Sequence, residues 1–470
     1  MKATGSIACI ALLLTACAVG PDYQRPKASL PAQYTEPVAA DTRTTAIVRD
    51  WWTLFNDAQL NDLVTRALAR NFDLQRAVAR IEEATGVLDE VRAAQFPEVD
   101  LTGAATRNRV SQATTVPPST LAPLIRKDEK VTLATAFELD FWGKLRRATE
   151  AARAQSVASE YGKGVVELTL AGSVAQTYLA LRSLDAQIAV SKQTLTARGD
   201  SFTIAESRFK GGLASGLDVE QARGAKAAVE AQLADLRQQR ALAEHQLAVL
   251  TATPDLVIAA GDLRELPSPP LPPAGLPSAL IDARPDIRLA EEQLVAANAR
   301  IGVVKASLFP TISLTGSIGS QSGALDDLFT AKSGIWGVGV GLDFPIFAAG
   351  KYSSQLVQAS AQQKQMLAAY QQAIHSGFRE VRDALSSAAE RAAQEAALDT
   401  QRQAALETLR IAQARYDAGY SPYLEVLDAQ RTANDVTLSW IRTRRARLEN
   451  AVELFKSLGG GWTLTNAHNN

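Results

Sequence analysis

Few side chains in this chain could do covalent or metal chemistry. Its cysteines are Cys9 and Cys17, and its histidines are His245, His375 and His468. No histidine lies near a second histidine or a cysteine at metal-ligand spacing. His245 and His375 fall in helical patterns and His468 in the C-terminal tail, so all three read as structural. The carboxylates are scattered at helical spacing, as on a solvated face. There is no phosphate loop, no GxSxG elbow and no dinucleotide fingerprint. The sequence calls for no cofactor, no metal and no enzyme chemistry.

One thiol has a chemical reading. Lys2 and the apolar run Ile7 to Leu14 form a short export signal, too short to span a bilayer as a helix. It ends at Leu14-Thr15-Ala16-Cys17, which resembles a lipobox. That motif predicts removal of residues 1–16 and acylation of Cys17, palmitate included. Ala18 replaces the Asp that marks inner-membrane retention, which points outward. Cys9 leaves with the signal, so no internal disulfide can form.

The elements that follow must explain a membrane anchor without a membrane helix. No later stretch has the ~20 consecutive apolar residues of a helical span, so any crossing must use strands. Val99, Leu101, Gly103 and Ala105 alternate with Asp100, Thr102 and Ala104. Val131, Leu133, Thr135, Phe137, Leu139 and Phe141 alternate with small and polar partners. So do Ile312, Leu314 and Ile318, and then Trp336, Val338, Val340, Leu342 and Phe344. This two-residue period predicts strands at about 97–106, 131–141, 311–319 and 335–345, each near bilayer-crossing length. Trp142, Phe141, Phe344 and Trp336 lie near strand ends, as interfacial aromatics do. Four strands cannot close a barrel around a lumen. The barrel must therefore be shared between chains, and a wide passage favours three.

The same order of elements occurs twice. Residues 92–103 (RAAQFPEVDLTG) are echoed by 305–316 (KASLFPTISLTG), and 208–222 by 415–429. Each half predicts a helix (57–70 and 72–95 in the first), a strand pair, and a very long helix at about 143–210 or 350–417. At 1.5 Å per residue, such a helix is about 100 Å long. Returning helices carry matching seams, Leu233-Leu236-Ala243-Leu247-Leu250 and Leu438-Ile441-Leu448-Val452-Phe455, spaced for coiled-coil packing. The predicted layout is a signal (1–16), a lipid-anchored arm (17–56), repeat one (57–266), a Pro-rich connector (267–277), repeat two (278–458) and a mobile tail (459–470). Trp51 and Trp52 are expected to pin the end of the arm. The composition is 46% hydrophobic, 6% aromatic and carries a formal net charge of −1. That balance suits Ala-rich packed helices and gives no electrostatic reason to expect nucleic acid.

Four segments carry a family resemblance across essentially the whole chain. They are Cys17 to Tyr23 (CAVGPDY), Ala283 to Glu291 (ARPDIRLAE), Phe309 to Gly316 and Arg415 to Arg431 (RYDAGYSPYLEVLDAQR). Together they resemble the TolC-like outer-membrane factors, in the lipoprotein branch of OprM/NodT type. The resemblance implies an α+β fold in which a homotrimer forms a 12-stranded outer-membrane barrel continuous with a coiled-coil periplasmic tunnel. It implies a passive exit duct for drugs or other small molecules. The implied partners are a periplasmic adaptor (membrane fusion protein) and an inner-membrane pump of RND type. The family's periplasmic turns map onto Gly212 and Asp218 in the first half and Gly419 and Ser421 in the second. Its inner constriction maps onto Leu424, Glu425 and Asp428. Tyr416 and Arg444 fall at positions that lock neighbouring coils in some members, though Ser421 stands where those members have an arginine. Two other readings use the same elements: a duct for type I protein secretion, and a non-conducting periplasmic adaptor.

Overall fold

The computed structural model describes residues 18–28, 30–36, 49–113, 123–272, 275 and 277–462. Cys17 and the lipobox, His468 and residues 463–470 lie outside them. Helices α1 (Ala58–Arg70) and α2 (Phe72–Ala93) lead into β1 (Glu98–Arg109). Strand β2 (Ile125–Leu139) returns into α3 (Lys144–Lys210), which reverses into α4 (Gly216–Leu250). The second half runs α5 (Pro285–Ala306), β3 (Thr311–Ser322), β4 (Gly334–Asp343), α6 (Lys351–Asp417) and α7 (Tyr423–Ser457). Helices α3 and α6 have 67 residues each, and α4 and α7 have 35 each.

Among the described residues, the four strands form one antiparallel sheet in the order β1-β2-β3-β4. The register aligns Leu101, Leu133, Ile318 and Trp336 in one cross-strand row. Val99, Thr135, Gly316 and Val338 form the next, followed by Phe137, Leu314 and Val340. Most of these apolar side chains face outward uncovered; Val338 is 81% exposed. The other face holds Asp100, Ala134, Ser317 and Gly337 in one row, then Glu98, Ala136, Thr315 and Gly339. An apolar face and a small polar face is what a lipid-and-water barrel wall requires.

Strand β2 starts at Ile125, six residues before the sequence-based bound near 131. Arg126 to Lys130 read as a polar loop because apolar alternation stops there. The backbone ladder nevertheless continues, pairing Thr106 to Arg109 with Asp128 to Ile125. Ladder bonds need no apolar side chain once the strand has left the hydrocarbon layer. At the other end of the sheet, Trp142 Nε1 donates to the Pro310 carbonyl at 2.8 Å and the indole stacks on Phe309 at 4.7 Å. There the Val19 N–H donates to the Trp142 carbonyl at 2.9 Å.

The helices bury a separate core. Tyr178, Leu179 and Leu181 of α3 pack with Leu247 of α4 and with Leu438, Ile441, Leu448, Val452 and Phe455 of α7. Each fully buried leucine contributes roughly 1.5–3 kcal/mol. Helix α3 is long and apolar enough to cross a bilayer, but much of its apolar surface is spent in this core. Trp51 is 1% exposed and stacks on Phe455 at 5.6 Å. Two compact units result, residues 1–26 with 80–159 and 290–370, and residues 27–79 with 160–289 and 371–470. Each unit draws on both halves of the sequence, so neither follows a repeat boundary.

The start of the expected mobile tail is folded. The Gly460 N–H donates to the Phe455 carbonyl at 2.8 Å, and Trp462 packs on Tyr161 with ring centroids 5.4 Å apart. Gly459 has φ +90°, and a Cβ there would lie 2.3 Å from the Ala283 carbonyl oxygen. The triple glycine is a helix stop that lets the chain turn back, which composition alone does not distinguish from a flexible linker.

Candidate functional site: the hairpin tips

Both long helices end in the same way. After α3, the Gly212 N–H donates to the Phe209 carbonyl and the Leu213 N–H to that of Arg208, at 3.0 and 2.8 Å. After α6, Gly419 donates to Tyr416 and Tyr420 to Arg415, at 3.0 and 2.9 Å. Gly212 and Gly419 have φ +70° and +78°, the left-handed conformation this stop needs, with open space beyond them. The residues past the glycines are bare: Leu213 and Tyr420 are both 81% exposed. Leu217 and Leu424, each the second residue of its returning helix, are exposed too.

The tips differ at their second step. Ser215 caps α4 in a capping box, its Oγ accepting from the Asp218 N–H while the Asp218 carboxylate accepts from the Ser215 N–H. Asp218 is thus committed to the first turn. In the second tip Pro422 holds the cap position and no side chain caps the helix. The Ser421 hydroxyl is buried there without a partner.

One apolar cluster joins the two tips. Ala205, Val219 and Ala222 pack with Ala412, Tyr416, Tyr423, Val426 and Ala429. Tyr416 meets Tyr423 at 5.5 Å, and the Arg208 guanidinium lies 4.4 Å over the Tyr416 ring. The structure does not bring Tyr416 and Arg444 together. Arg444 lies about six turns further along α7. Its Nη1 donates to Glu395 Oε1 at 2.8 Å and its Nη2 to the Leu266 carbonyl at 2.7 Å. It ties the segment just before the connector to Glu395 of α6, and as folded these bonds hold it away from the tip.

Leu424 and Asp428 share one face of α7, where they border a groove with Gln221, Gly224 and Ala228 of α4. Asp428 also borders a second groove with Glu425, Thr408 and Ile411, so it stands on the ridge between the two. Asp428 Oδ1 accepts from Arg431 Nη2 at 2.7 Å, and Glu425 lies 3.9 Å from Arg415. All four side chains are largely exposed.

Sequence reasoning missed two residues here. Arg431 follows Asp428 by three positions, a spacing that brings helix side chains together, so that pair was legible. Arg198 of α3 was not, because the α7 residues around it, Tyr423, Leu424, Asp428 and Asp435, are more than two hundred residues away. It is 5% exposed, borders the groove with Leu424 and Asp428, and leaves Nε and Nη1 without hydrogen-bond partners. Burial lowers its pKa, against the Tyr423 hydroxyl and Asp435, which raise it. The exposed helical histidines, His245 and His375, have no part in the site. Among the described residues, no group of His, Cys, Asp and Glu side chains could hold a metal ion.

A family model described as outer membrane efflux protein matches residues 63–253 and 276–460, one segment per hairpin. The chain belongs to that family. Among outer membrane efflux proteins it is 34% identical to the cation efflux system protein CusC of Escherichia coli, over 97% of this chain and 98% of the relative. It is also 34% identical to the toluene efflux pump outer membrane protein TtgI of Pseudomonas putida, covering 97% of each. The solved outer-membrane channel OprN superposes with a TM-score of 0.88 at 29% identity, covering 95% of this chain and all of that one. The fold is that of a trimeric outer-membrane channel with four strands per chain and long helices. As an outer membrane efflux protein, the chain is an efflux channel whose barrel lies in the outer membrane and whose helices lie in the periplasm.

Proposed function

We propose that this channel is the passive exit duct of a tripartite pump, docking a periplasmic adaptor and an inner-membrane pump of RND type at its hairpin tips. The observation that carries the reading is the repetition of the tips. Each offers a bare glycine stop and two exposed apolar side chains, Leu213 with Leu217 and Tyr420 with Leu424. Exposed apolar groups at a helix reversal have no use within the chain and suit a protein partner. Gly212, Asp218, Gly419 and Ser421 shape those turns. The gate is assigned to the second tip, at Leu424, Glu425 and Asp428. Its support is the missing cap: the first tip is fastened by Ser215 and Asp218, the second by no side chain.

Cargo selection is assigned to the pump. Relatives equally identical to this chain are named for cations and for toluene, which fits a duct that binds neither. Acylation of Cys17 is part of the same reading. The next described residues, Ala18 and Val19, sit at Gly143 and Trp142, where the strands end. A lipid on Cys17 would enter the bilayer beside the interfacial Trp142.

Photo-cross-linking from Leu213 and Tyr420 in whole cells tests the docking. Both positions should capture one and the same periplasmic protein, and capture should fall when either glycine stop is replaced by Val. Capture from neither position would sink the assignment. Intact-protein mass should also show lipid on the wild type and none on Cys17→Ala; a lipid-free wild type would end the acylation reading.

A further inference from the structure

We propose that the outward ends of β1 and β2 form a binding site for the phosphate groups of an anionic lipid in the outer leaflet. The register puts Arg107 directly opposite Lys127, and Arg109 opposite Ile125. By strand parity these side chains point to the same face as Leu101, Leu133 and Val131, the lipid-facing one. Arg107, Arg109 and Lys127 are all exposed. Like charges directly opposite one another destabilise a strand pair. None of the three has a salt bridge among the described residues. No Asp or Glu occurs from Leu101 to Lys127, and the next residue, Asp128, stands on the other face, where it accepts from Gln321 Nε2 at 2.7 Å. One carboxylate shares the face: Glu129, opposite Ala105 and Ser322. The face therefore keeps a positive excess.

Height decides what could satisfy that excess. The opposite strand ends lead into the periplasmic helices, so these ends are the outer ones. Going outward along β2, Val131 is the last large apolar residue on this face before Glu129 and Lys127, and Ile125 closes the strand end. Lys127 lies four residues beyond Val131. At a rise near 3.4 Å and a tilt of about 40°, that is about 10 Å along the membrane normal. Arg and Lys side chains can reach back over that distance to headgroups while their stems cover apolar surface. A cationic cluster just above a lipid-facing apolar band is complementary to lipid phosphate. Arg126 provides an internal contrast. It stands at the same height but on the lumen face, opposite Asn108.

The test uses the full trimer reconstituted in phosphatidylcholine vesicles doped with a bisphosphorylated glycolipid, lipid A, with retained lipid counted by native mass spectrometry. Wild type should carry lipid A through extraction. Arg107→Gln/Lys127→Gln should lose it, by roughly fivefold in affinity for each charge removed. Arg126→Gln should retain it, and Glu129→Gln should retain more. Heat-modifiable migration checks that each variant is a trimer; if the double variant does not assemble, the single variants carry the same comparison. Equal retention by wild type and the double variant would overturn the site, as would equal loss in Arg126→Gln. Displacement by inorganic phosphate at matched concentration would reassign it to a soluble anion. A trimer structure with Arg107 paired to a carboxylate of the neighbouring copy would remove the need for a ligand.

Discussion

Replacing Asp428 by Ala should turn the channel towards anions rather than only weaken a cation preference. As folded, Asp428 is paired with Arg431 at 2.7 Å. In the proposed gate, the ring formed by three copies therefore carries almost no net charge from this pair. Removing the carboxylate leaves three uncompensated guanidinium groups. Taking about 8 Å, the Debye length at physiological salt, as the distance to a passing ion, each charge is worth about 0.5 kcal/mol in water before screening. Screening over that distance leaves about 0.2 kcal/mol, and three charges give about 0.6 kcal/mol. That is about threefold for the anion and the inverse for the cation, or about eightfold in their permeability ratio. The pair is 63% and 71% exposed, so its loss should cost the fold under about 1 kcal/mol. The assay is the reversal potential in a planar bilayer under a salt gradient near physiological strength. Arg431→Ala should shift it the opposite way, and the double variant should return to wild type. Unchanged potentials in both single variants would remove the pair from the narrow part of the duct. A shift in Asp428→Ala alone would show that the pairing does not hold in the conducting state.

Three further outcomes are expected. Arg198→Met should leave trimer stability unchanged or raise it, because the guanidinium is buried with two unsatisfied nitrogens; a loss above about 2 kcal/mol in denaturant unfolding would mean that Arg198 has a partner in the assembly. Burial raises the pKa of Glu449 against the pull of Arg445 and Arg391, so its favourable contribution is complete at low pH and lost as pH rises through that raised value. Glu449→Gln should therefore raise the melting temperature at neutral pH and have little effect below about pH 4; equal shifts at both would contradict the burial argument. Ser215→Ala should cost the first tip about 1 kcal/mol and speed amide exchange in the first turn of α4, whereas Ser421→Ala, which removes no cap, should not slow or speed exchange in α7.

The long elements were legible because period and repetition signal the same thing. Two-residue alternation marked the lipid-facing rows through Leu101, Leu133, Ile318 and Trp336, and the seam spacing marked Leu438 to Phe455. What escaped was set by partners distant in sequence or by a change of solvent. The first six residues of β2 lack apolar alternation because they stand in water, yet their ladder with β1 continues. Trp462 reads as tail until Tyr161 is beside it. In the site, spacing placed Leu424 and Asp428 on one face and the glycines at the stops. The Ser215-x-x-Asp218 spacing of a capping box was legible as well, but spacing could not show that Arg444 bonds Leu266 and Glu395, or that Arg198 lies buried beside Leu424 and Asp428.

The lengths of the two halves carry a physical constraint. Helices α6 and α7 lie 207 residues after α3 and α4 at every bound, while α5 and β3 lie 213 after α2 and β1. The whole difference therefore falls between the end of a strand and the start of a long helix, in the outer loop, the second strand and its exit. An inserted residue in a helix rotates everything beyond it by ~100° and advances it 1.5 Å. In α3 that would turn Leu184 and Ile188 away from Leu233 and Leu236, against which they pack. It would also carry Leu213 and Leu217 out of level with Tyr420 and Leu424, so a partner meeting both tips would lose one. An outer loop meets water and closes at little entropic cost per added residue. The halves are thus free to differ in the length of their loops and in the chemistry of their tips. Their helices must stay equal, and the asymmetry that a gate requires has to be written in side chains such as Ser215 against Pro422 and Gln221 against Asp428.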